Sequence, residues 1–467
     1  MYFFCDFLIF SCLFVSGFQF GYYCKYTYIY RSLWLNWFVL FGVLLCLLLA
    51  MGWTLRKHKK RKYLFENFYI VFYGLICSVI SAVFLVTEST EILFYFVFMS
   101  MVVIYLPCYN YISLRCDSHG SRPARIALGN TIYFAGLTAG FSIFNELEPK
   151  RCAWVLFGIS LSTLVCVIIN EVLQQYGIQD YKSSCDLVFN LMNEEKLIYA
   201  PRKSILTLFV GRDEYCFKRN IQWLVVGMAA VVTIERCSLY SMTYLTLMYR
   251  STIGYTQSNH LYLPYMLYVS GCALGSLLML RYKPKLIYLM FGLIKITITA
   301  AILGVYNDNF PEHCFILLCF YYISMGVYSS IGIQMLLECS PFLYTELTLA
   351  GSYTLELTLM EISKLEIVNE DENDWTMLLV LSLTSIFLTI CSICLIQLFL
   401  VDSVGLVEIR NRLLGIHRLP MKSYENKLYK NNFFLQMEIP SNVSSVVIEN
   451  NREFQQYPAE DGKNTKF

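Results

Sequence analysis

Apolar residues in this chain gather into twelve long runs divided by short polar breaks. A bilayer core about 30 Å thick needs about 20 residues of helix to cross it. Windows of that length place the runs near 4–24, 34–54, 64–86, 91–112, 124–145 and 151–172, then 220–245, 262–281, 285–305, 313–337, 344–364 and 375–400. Inside lipid the backbone amides of such a run find partners only within the protein, so each is expected to be a helix. The pattern therefore predicts an all-α integral membrane protein with twelve transmembrane helices.

One event occurs twice. Gly52 leads into the basic run RKHKKRK (56–62) after the second span, and Gly275 leads into RYKPK (281–285) after the eighth. Recurrence at the same place in two sets of six spans marks internal duplication. The expected organisation is an N-terminal six-helix bundle over 1–172, a cytoplasmic linker over 173–219 and a C-terminal six-helix bundle over 220–400. The tail, 401–467, is polar and rich in Asn and Glu, and is expected to be cytoplasmic and largely disordered.

Charge sets the orientation. Basic residues follow spans 2, 4 and 8 and continue through the linker with Arg202, Lys203, Arg212, Lys218 and Arg219. The opposite loops are acidic or mixed, with Glu88, Glu146, Asp308 and EDEND (370–374). The excess of Lys and Arg makes its side cytoplasmic and puts both termini inside. The first segment has no basic n-region and no small-residue cleavage site, so it reads as a span rather than a signal peptide.

Composition narrows the class further. The chain is 57% apolar and 15% charged, with a net charge of +2, which argues against nucleic acid as a partner. Its 18 cysteines are scattered, largely through apolar segments, and most are expected to be small buried apolar residues. Hydrolase, zincin and nucleotide-binding signatures are absent. Four of the five histidines (His58, His119, His260, His417) fall in loops or the tail, and His313 stands at the outer edge of span 10. No enzyme activity, metal or cofactor is expected.

The order and spacing of several short motifs resemble the major facilitator superfamily, in particular its sugar porters. GFQFGY (17–22) is similar to the family's first-span opening. Gly52 with Lys60 and Arg61 resembles G-x-x-x-D-R-x-G-R-R. Arg122 and Arg125, followed by Gly136 and Gly140, resemble the turn into span 5, and Glu338-Cys339-Ser340-Pro341 resembles E-x-x-P. Val401-Asp402-Ser403-Val404-Gly405 with Glu408 is similar to the element after span 12. The resemblance implies two six-helix bundles around a central cavity, working by alternating access in a plasma membrane. Its cytoplasmic gating motifs map onto Gly52, Arg56, Lys60, Arg61 and Arg125, and in the second half onto Gly275, Arg281 and Glu338.

The departures bear on function. Arg56 stands where the family has the Asp that locks two helix ends together, and Leu280 stands there in the second copy. Seven residues after Glu338, Thr345 replaces an expected Arg. Sugar porters hold hexose hydroxyls with side-chain amides, each both donor and acceptor. In span 5 the amide position falls on Tyr133 or Phe134. In span 7, Q-Q-x-S-G-x-N falls on Ile234 to Tyr240, so both glutamines and the asparagine are gone, with Ile234, Glu235 and Tyr240 in their places and Arg236 beside them. In span 10, G-P-x-P-W falls on Ser329, Ser330, Ile331, Gly332 and Ile333. Such a pocket is expected to recognise glucose poorly.

A charge deep in a span costs roughly 3 kcal/mol or more unless it faces a cavity or a partner. Glu235 and Arg236 thus read either as a site for a charged or amphipathic solute, with Glu235 exchanging a proton, or as a structural ion pair with Glu356 or Glu361. Lys295 in span 9 reads as snorkelling or as a contact to a neighbouring helix. Gln19, Tyr133, Phe134, Glu235, Arg236, Tyr240 and Glu356 form the candidate solute site. The expected function is secondary transport of a small organic solute. The alternative is a non-transporting relative that serves as receptor, regulator or scaffold. A cavity lined by polar side chains would favour the first, and one plugged by aromatic rings the second.

The orientation has a direct test. The sequon Asn442-Val443-Ser444 lies in the tail, so chain made in eukaryotic cells should show no mobility shift on deglycosylation. A tag at either terminus should be reached by antibody only after permeabilisation. Labelling of intact cells at either end would invert the topology.

Overall fold

The computed structural model describes residues 2–29, 67–86, 104–109, 112, 121–146, 149–177, 263–307, 311–339, 348–355 and 374–399. Among them everything except the turn at 279–283 is helical, and no strand occurs. Eight helices follow in order: α1 Tyr2–Ile29, α2 Asn67–Val86, α3 Ser121–Glu146, α4 Pro149–Gly177, α5 Leu263–Leu278, α6 Pro284–Asn307, α7 Pro311–Cys339 and α8 Asp374–Phe399. They are spans 1, 3, 5, 6, 8, 9, 10 and 12 of the sequence. Residues 104–109 and 348–355 are helical parts of spans 4 and 11. Spans 2 and 7, the linker region beyond Gly177 and the tail lie outside the described residues. All the described helices belong to one compact unit, Met1–Arg418.

Local chemistry sets the helix ends. α4, α6 and α7 each open on a proline (Pro149, Pro284, Pro311). Its fixed φ suits a first helical residue, whose amide hydrogen would lack a partner anyway. α4 is described past the apolar window as far as Gly177, through the good helix formers Glu171, Gln174 and Gln175.

Five of the helices are long and apolar enough to cross a membrane, and they divide by burial. In α3 and α7 about two thirds of the spanning window (67%) is buried within the protein, whereas in α4, α6 and α8 the share is 33%, 33% and 28%. The second group turns large apolar side chains outward, among them Trp154, Met290 and Phe387. The first group buries the polar residues Asn130, Thr131, Ser324, Ser329, Ser330 and Gln334, and the second group keeps its own, such as Ser160, Lys295, Thr299 and Ser392, on its inward side. Spans 6, 9 and 12 thus form an apolar rim, and spans 5 and 10 belong to the interior.

Glycine decides how closely the inner helices meet. α1 and α3 cross with Gly17 and Gly21 facing Gly136 and Gly140. A Cβ built on Gly17 would fall on the carbonyl of Tyr133, and one on Gly21 on that of Leu137. From the other side, Gly136 and Gly140 press against the carbonyls of Phe14 and Phe18. The pair α5 and α7 repeats the device: Gly271 lies against the carbonyl of Ile323, Gly326 against that of Tyr268, and Gly275 against Ser330. Lipid gives helices no hydrophobic push toward one another, so small residues that admit close backbone contact hold such pairs together. α3 also packs along α5 and α7, joining N-terminal to C-terminal helices.

Added volume on these seams should be costly. Gly136→Ala places a methyl group against backbone that has no rotamer to yield, and should destabilise by about 1–3 kcal/mol. Gly158 and Gly304 meet nothing within 4 Å. Alanine there should hold or raise stability by up to about 1 kcal/mol through helix propensity. Thermal unfolding of purified protein in detergent checks both, and equal effects at the three positions would refute the tight seam.

Candidate functional site

Four helical elements bring aromatic rings to one place. Phe20 comes from α1, Tyr105 from span 4, Tyr133 from α3 and Tyr353 from span 11. Tyr105 and Tyr353 stack with centroids 4.8 Å apart and planes 27° from parallel. Tyr133 meets Tyr105 edge-on at 5.1 Å, and Phe20 touches both Tyr133 and Tyr353, at 6.3 and 6.1 Å. Tyr109, one turn beyond Tyr105, adds a fifth ring at 4.7 Å. None of the five is more than 2% exposed, so the rings fill their own space. Stacked and edge-on pairs of this kind contribute about 0.5–1.5 kcal/mol each beyond their buried area.

Beside the rings runs a polar relay. The Tyr109 hydroxyl donates to Asn130 Oδ1 at 3.4 Å, and Asn130 Nδ2 donates to Cys272 Sγ at 3.7 Å. Cys272 Sγ in turn donates to the Gly326 carbonyl at 3.4 Å. This chain crosses from span 4 through α3 to α5 and α7. The same seam holds Phe134 edge-on against Tyr268 at 4.6 Å, and the Tyr268 hydroxyl donates to Ser329 at 2.7 Å.

The candidate residues fall into different settings. Tyr133 belongs to the ring cluster, whereas Phe134, about 100° further round α3, packs on Tyr268. The two aligned alternatives at span 5 are thus both buried, against different partners. Gln19 is buried and its amide donates to Ser78 of α2, whose hydroxyl is 2.5 Å from that of Ser160 in α4. That ladder ties spans 1, 3 and 6. Ser329 and Ser330, at the span 10 sugar-motif positions, serve helix packing: Ser329 accepts from Tyr268, and Ser330 donates to the Val327 carbonyl and abuts Gly275. Glu235, Arg236, Tyr240 and Glu356 lie outside the described residues.

Of the gating positions, Gly52, Arg56, Lys60 and Arg61 likewise lie outside the described residues. Arg125 is half-buried near the start of α3, Gly275 faces α7, Arg281 is exposed on the turn after α5, and Glu338 falls in the last turn of α7.

Lys295 is 1% exposed. Its ammonium lies 5.2 Å from the Tyr328 ring centroid and 5.9 Å from that of Tyr321, both on α7. Snorkelling is therefore not what it does; it contacts a neighbouring helix. Tyr288 stacks on Tyr328 at 4.0 Å, and the Tyr328 hydroxyl bonds Ser392 of α8. The amine thus lies over two ring faces, in a cluster that also joins spans 9, 10 and 12 by stacking and hydroxyl contacts.

The sequence motifs do not point to Tyr105, Tyr109 or Tyr353. The only local signal is the four-residue spacing of Tyr105 and Tyr109, which puts both on one helix face. Tyr353 is 248 positions from Tyr105 in the numbering, and only the fold unites them.

No protein-family model matches the chain, and no curated protein matches it in sequence. Solved structures do. The proton:xylose symporter XylE of the major facilitator superfamily, bound to 6-bromo-6-deoxy-D-glucose, matches with a TM-score of 0.63 at 12% identity, over 87% of this chain and 99% of its own. The human organic anion transporter MFSD10 matches with a TM-score of 0.53 at 12% identity, over 84% of this chain and 98% of its own. At such identity the likeness is one of fold. With its apolar, membrane-length helices, this chain is an integral, multi-pass membrane protein with the fold of the major facilitator superfamily.

Proposed function

We propose that this chain carries a small organic solute across a membrane by alternating access. The Tyr105–Tyr353 stack is the observation that carries the reading. Spans 4 and 11 fall in different six-helix halves of the proposed organisation, 1–172 and 220–400, joined by the linker 173–219. A contact that joins the halves is one that rocking must break and remake as the site opens to either side. A solute entering from either face would replace ring–ring contacts with ring–solute contacts.

The solute would be held by ring faces and tyrosine hydroxyls more than by side-chain amides, since Gln19 is engaged in the ladder to Ser78 and Ser160. That departs from hexose recognition by paired amides. Glu235 and Arg236 of span 7, with Tyr240 and with Glu356 of span 11, would supply the remaining polarity, and Glu235 would exchange a proton. One structure of similar fold is a proton:xylose symporter, which supports proton coupling here. The proposed setting is the plasma membrane, with both termini cytoplasmic.

A second reading rests on the same rings. Phe20, Tyr105, Tyr133 and Tyr353 are closed on one another, and a permanent plug would make the chain a non-transporting receptor, regulator or scaffold.

Uptake into proteoliposomes separates the two. Labelled hexoses, polyols, amino acids and organic anions would be offered to wild type, Tyr105→Ala, Tyr353→Ala and the corresponding Phe variants. Saturable wild-type uptake that falls about tenfold in the Ala variants and less in the Phe variants, which keep the ring and lose only the hydroxyl, would establish the ring site; tenfold corresponds to about 1.4 kcal/mol, on the scale of one lost aromatic contact. A fall in Glu235→Gln that removes dependence on a proton gradient would place the coupling group. A folded, monodisperse wild type that moves nothing across the panel would favour the scaffold.

A further inference from the structure

The ring cluster is closed on itself, and that sets a condition on what opens it. Tyr353 is the wall that comes from span 11, whereas Phe20, Tyr105 and Tyr133 come from spans 1, 4 and 5. Rocking of the halves would lift Tyr353 away from the two rings it touches, Tyr105 at 4.8 Å and Phe20 at 6.1 Å. An entering solute takes over contacts that the rings otherwise give one another. It gains only where it binds a ring face better than another ring does.

The ring planes decide the shape of such a solute. Tyr353 lies 27° from Tyr105 but 52° from Phe20, and Tyr133 lies 25° from Phe20 but 67° from Tyr105. A flat solute is gripped between two parallel faces. Rings inclined as steeply as these surround a rounded one.

Chemistry then chooses among rounded solutes. A ring face carries the negative side of the ring quadrupole and is a poor hydrogen-bonding partner. A polyol would leave most of its hydroxyls unmet against such walls. A primary ammonium fares no better, with three N–H donors to satisfy. A quaternary ammonium has no N–H, and its charge is spread over an alkyl shell that sheds water easily. Once desolvated, a cation is drawn to a ring face more strongly than a second ring is.

We propose, on the footing of the transport reading of these rings, that the solute they select is an organic cation of the quaternary ammonium type. The cation would rest against Tyr105 and Phe20, with Tyr353 closing over it. Glu356 would be its counter-charge. It stands three positions after Tyr353, a spacing that puts both on one helix face within the proposed span 11 at 344–364. Glu235 would add to the attraction. Arg236, its neighbour in the sequence, stands about 100° from it round a helix and would face elsewhere.

Purified full-length protein tests this in detergent and in proteoliposomes, with choline and tetraethylammonium as probes. Both should raise the unfolding temperature and enter proteoliposomes saturably. The neutral analogue of choline, with carbon in place of nitrogen, should compete about tenfold more weakly, equivalent to about 1.4 kcal/mol and within the range of a cation over ring faces. Tyr105→Phe and Tyr353→Phe should keep most of the affinity for choline, whereas Tyr105→Leu and Tyr353→Leu should lose about as much as the neutral analogue does. Fluorinated phenylalanines at position 105 give a readout that packing alone would not move. Each added fluorine draws charge from the ring face, and choline affinity should fall in step.

Equal competition by choline and its neutral analogue would overturn the proposal, as would affinity indifferent to fluorination. Saturable uptake of hexoses or organic anions with both cations excluded would overturn the solute class and leave the transport reading standing. Selective binding of the cations without uptake would uphold the cation site and sink transport instead.

Discussion

Close backbone approach at glycine is the constraint on which this structure depends. Lipid solvates an apolar side chain as well as a protein interior does, so helices in it gain nothing simply by hiding leucine. What remains is dispersion, and dispersion falls steeply with distance. Gly17, Gly21, Gly136 and Gly140 bring α1 and α3 to backbone contact, and Gly271, Gly275 and Gly326 do so for α5 and α7. The ring cluster and the Asn130 relay both sit along these seams. Tyr133, whose carbonyl Gly17 touches, also carries the ring that meets Tyr105.

A second constraint is that polar groups inside a membrane find partners within the protein. Thr131, Thr138 and Thr299 donate to carbonyls one turn back, at Ala127, Phe134 and Lys295, and Ser324 donates to Tyr321. Such back-bonds let a hydroxyl lie in an apolar helix at little cost. The ladder Gln19–Ser78–Ser160 and the cluster around Lys295 extend the principle across helices. Both tie an outer-rim span to inner ones, which is where apolar packing alone would leave the bundle loosest.

The spans were legible because length and hydropathy are local properties; α6 at Pro284–Asn307 follows the apolar run at 285–305, and α7 at Pro311–Cys339 the run at 313–337. The glycines of GFQFG were legible as a motif, and the structure adds what they touch. Side-chain direction was not legible. A register choice between Tyr133 and Phe134 could not be made along the sequence, since a helix turns each about 100° from the other and both faces of α3 are buried. For Lys295 the sequence leaves snorkelling and a contact to a neighbouring helix both open, and only the fold turns its side chain inward to Tyr321 and Tyr328. The Tyr105–Tyr353 contact depends on tertiary fold entirely. No periodicity connects residues that far apart.

That contact bears on the return stroke of a carrier. A site whose walls are ions or amides is left with stripped polar groups when it closes empty, and the unloaded form is slow to switch sides. At the proposed site the walls would be rings, which meet one another face to face between Tyr105 and Tyr353 and edge-on to Tyr133. Under the proposed transport, closure without cargo would then lose little, and the carrier would reset without a counter-substrate on the far side to bring it back.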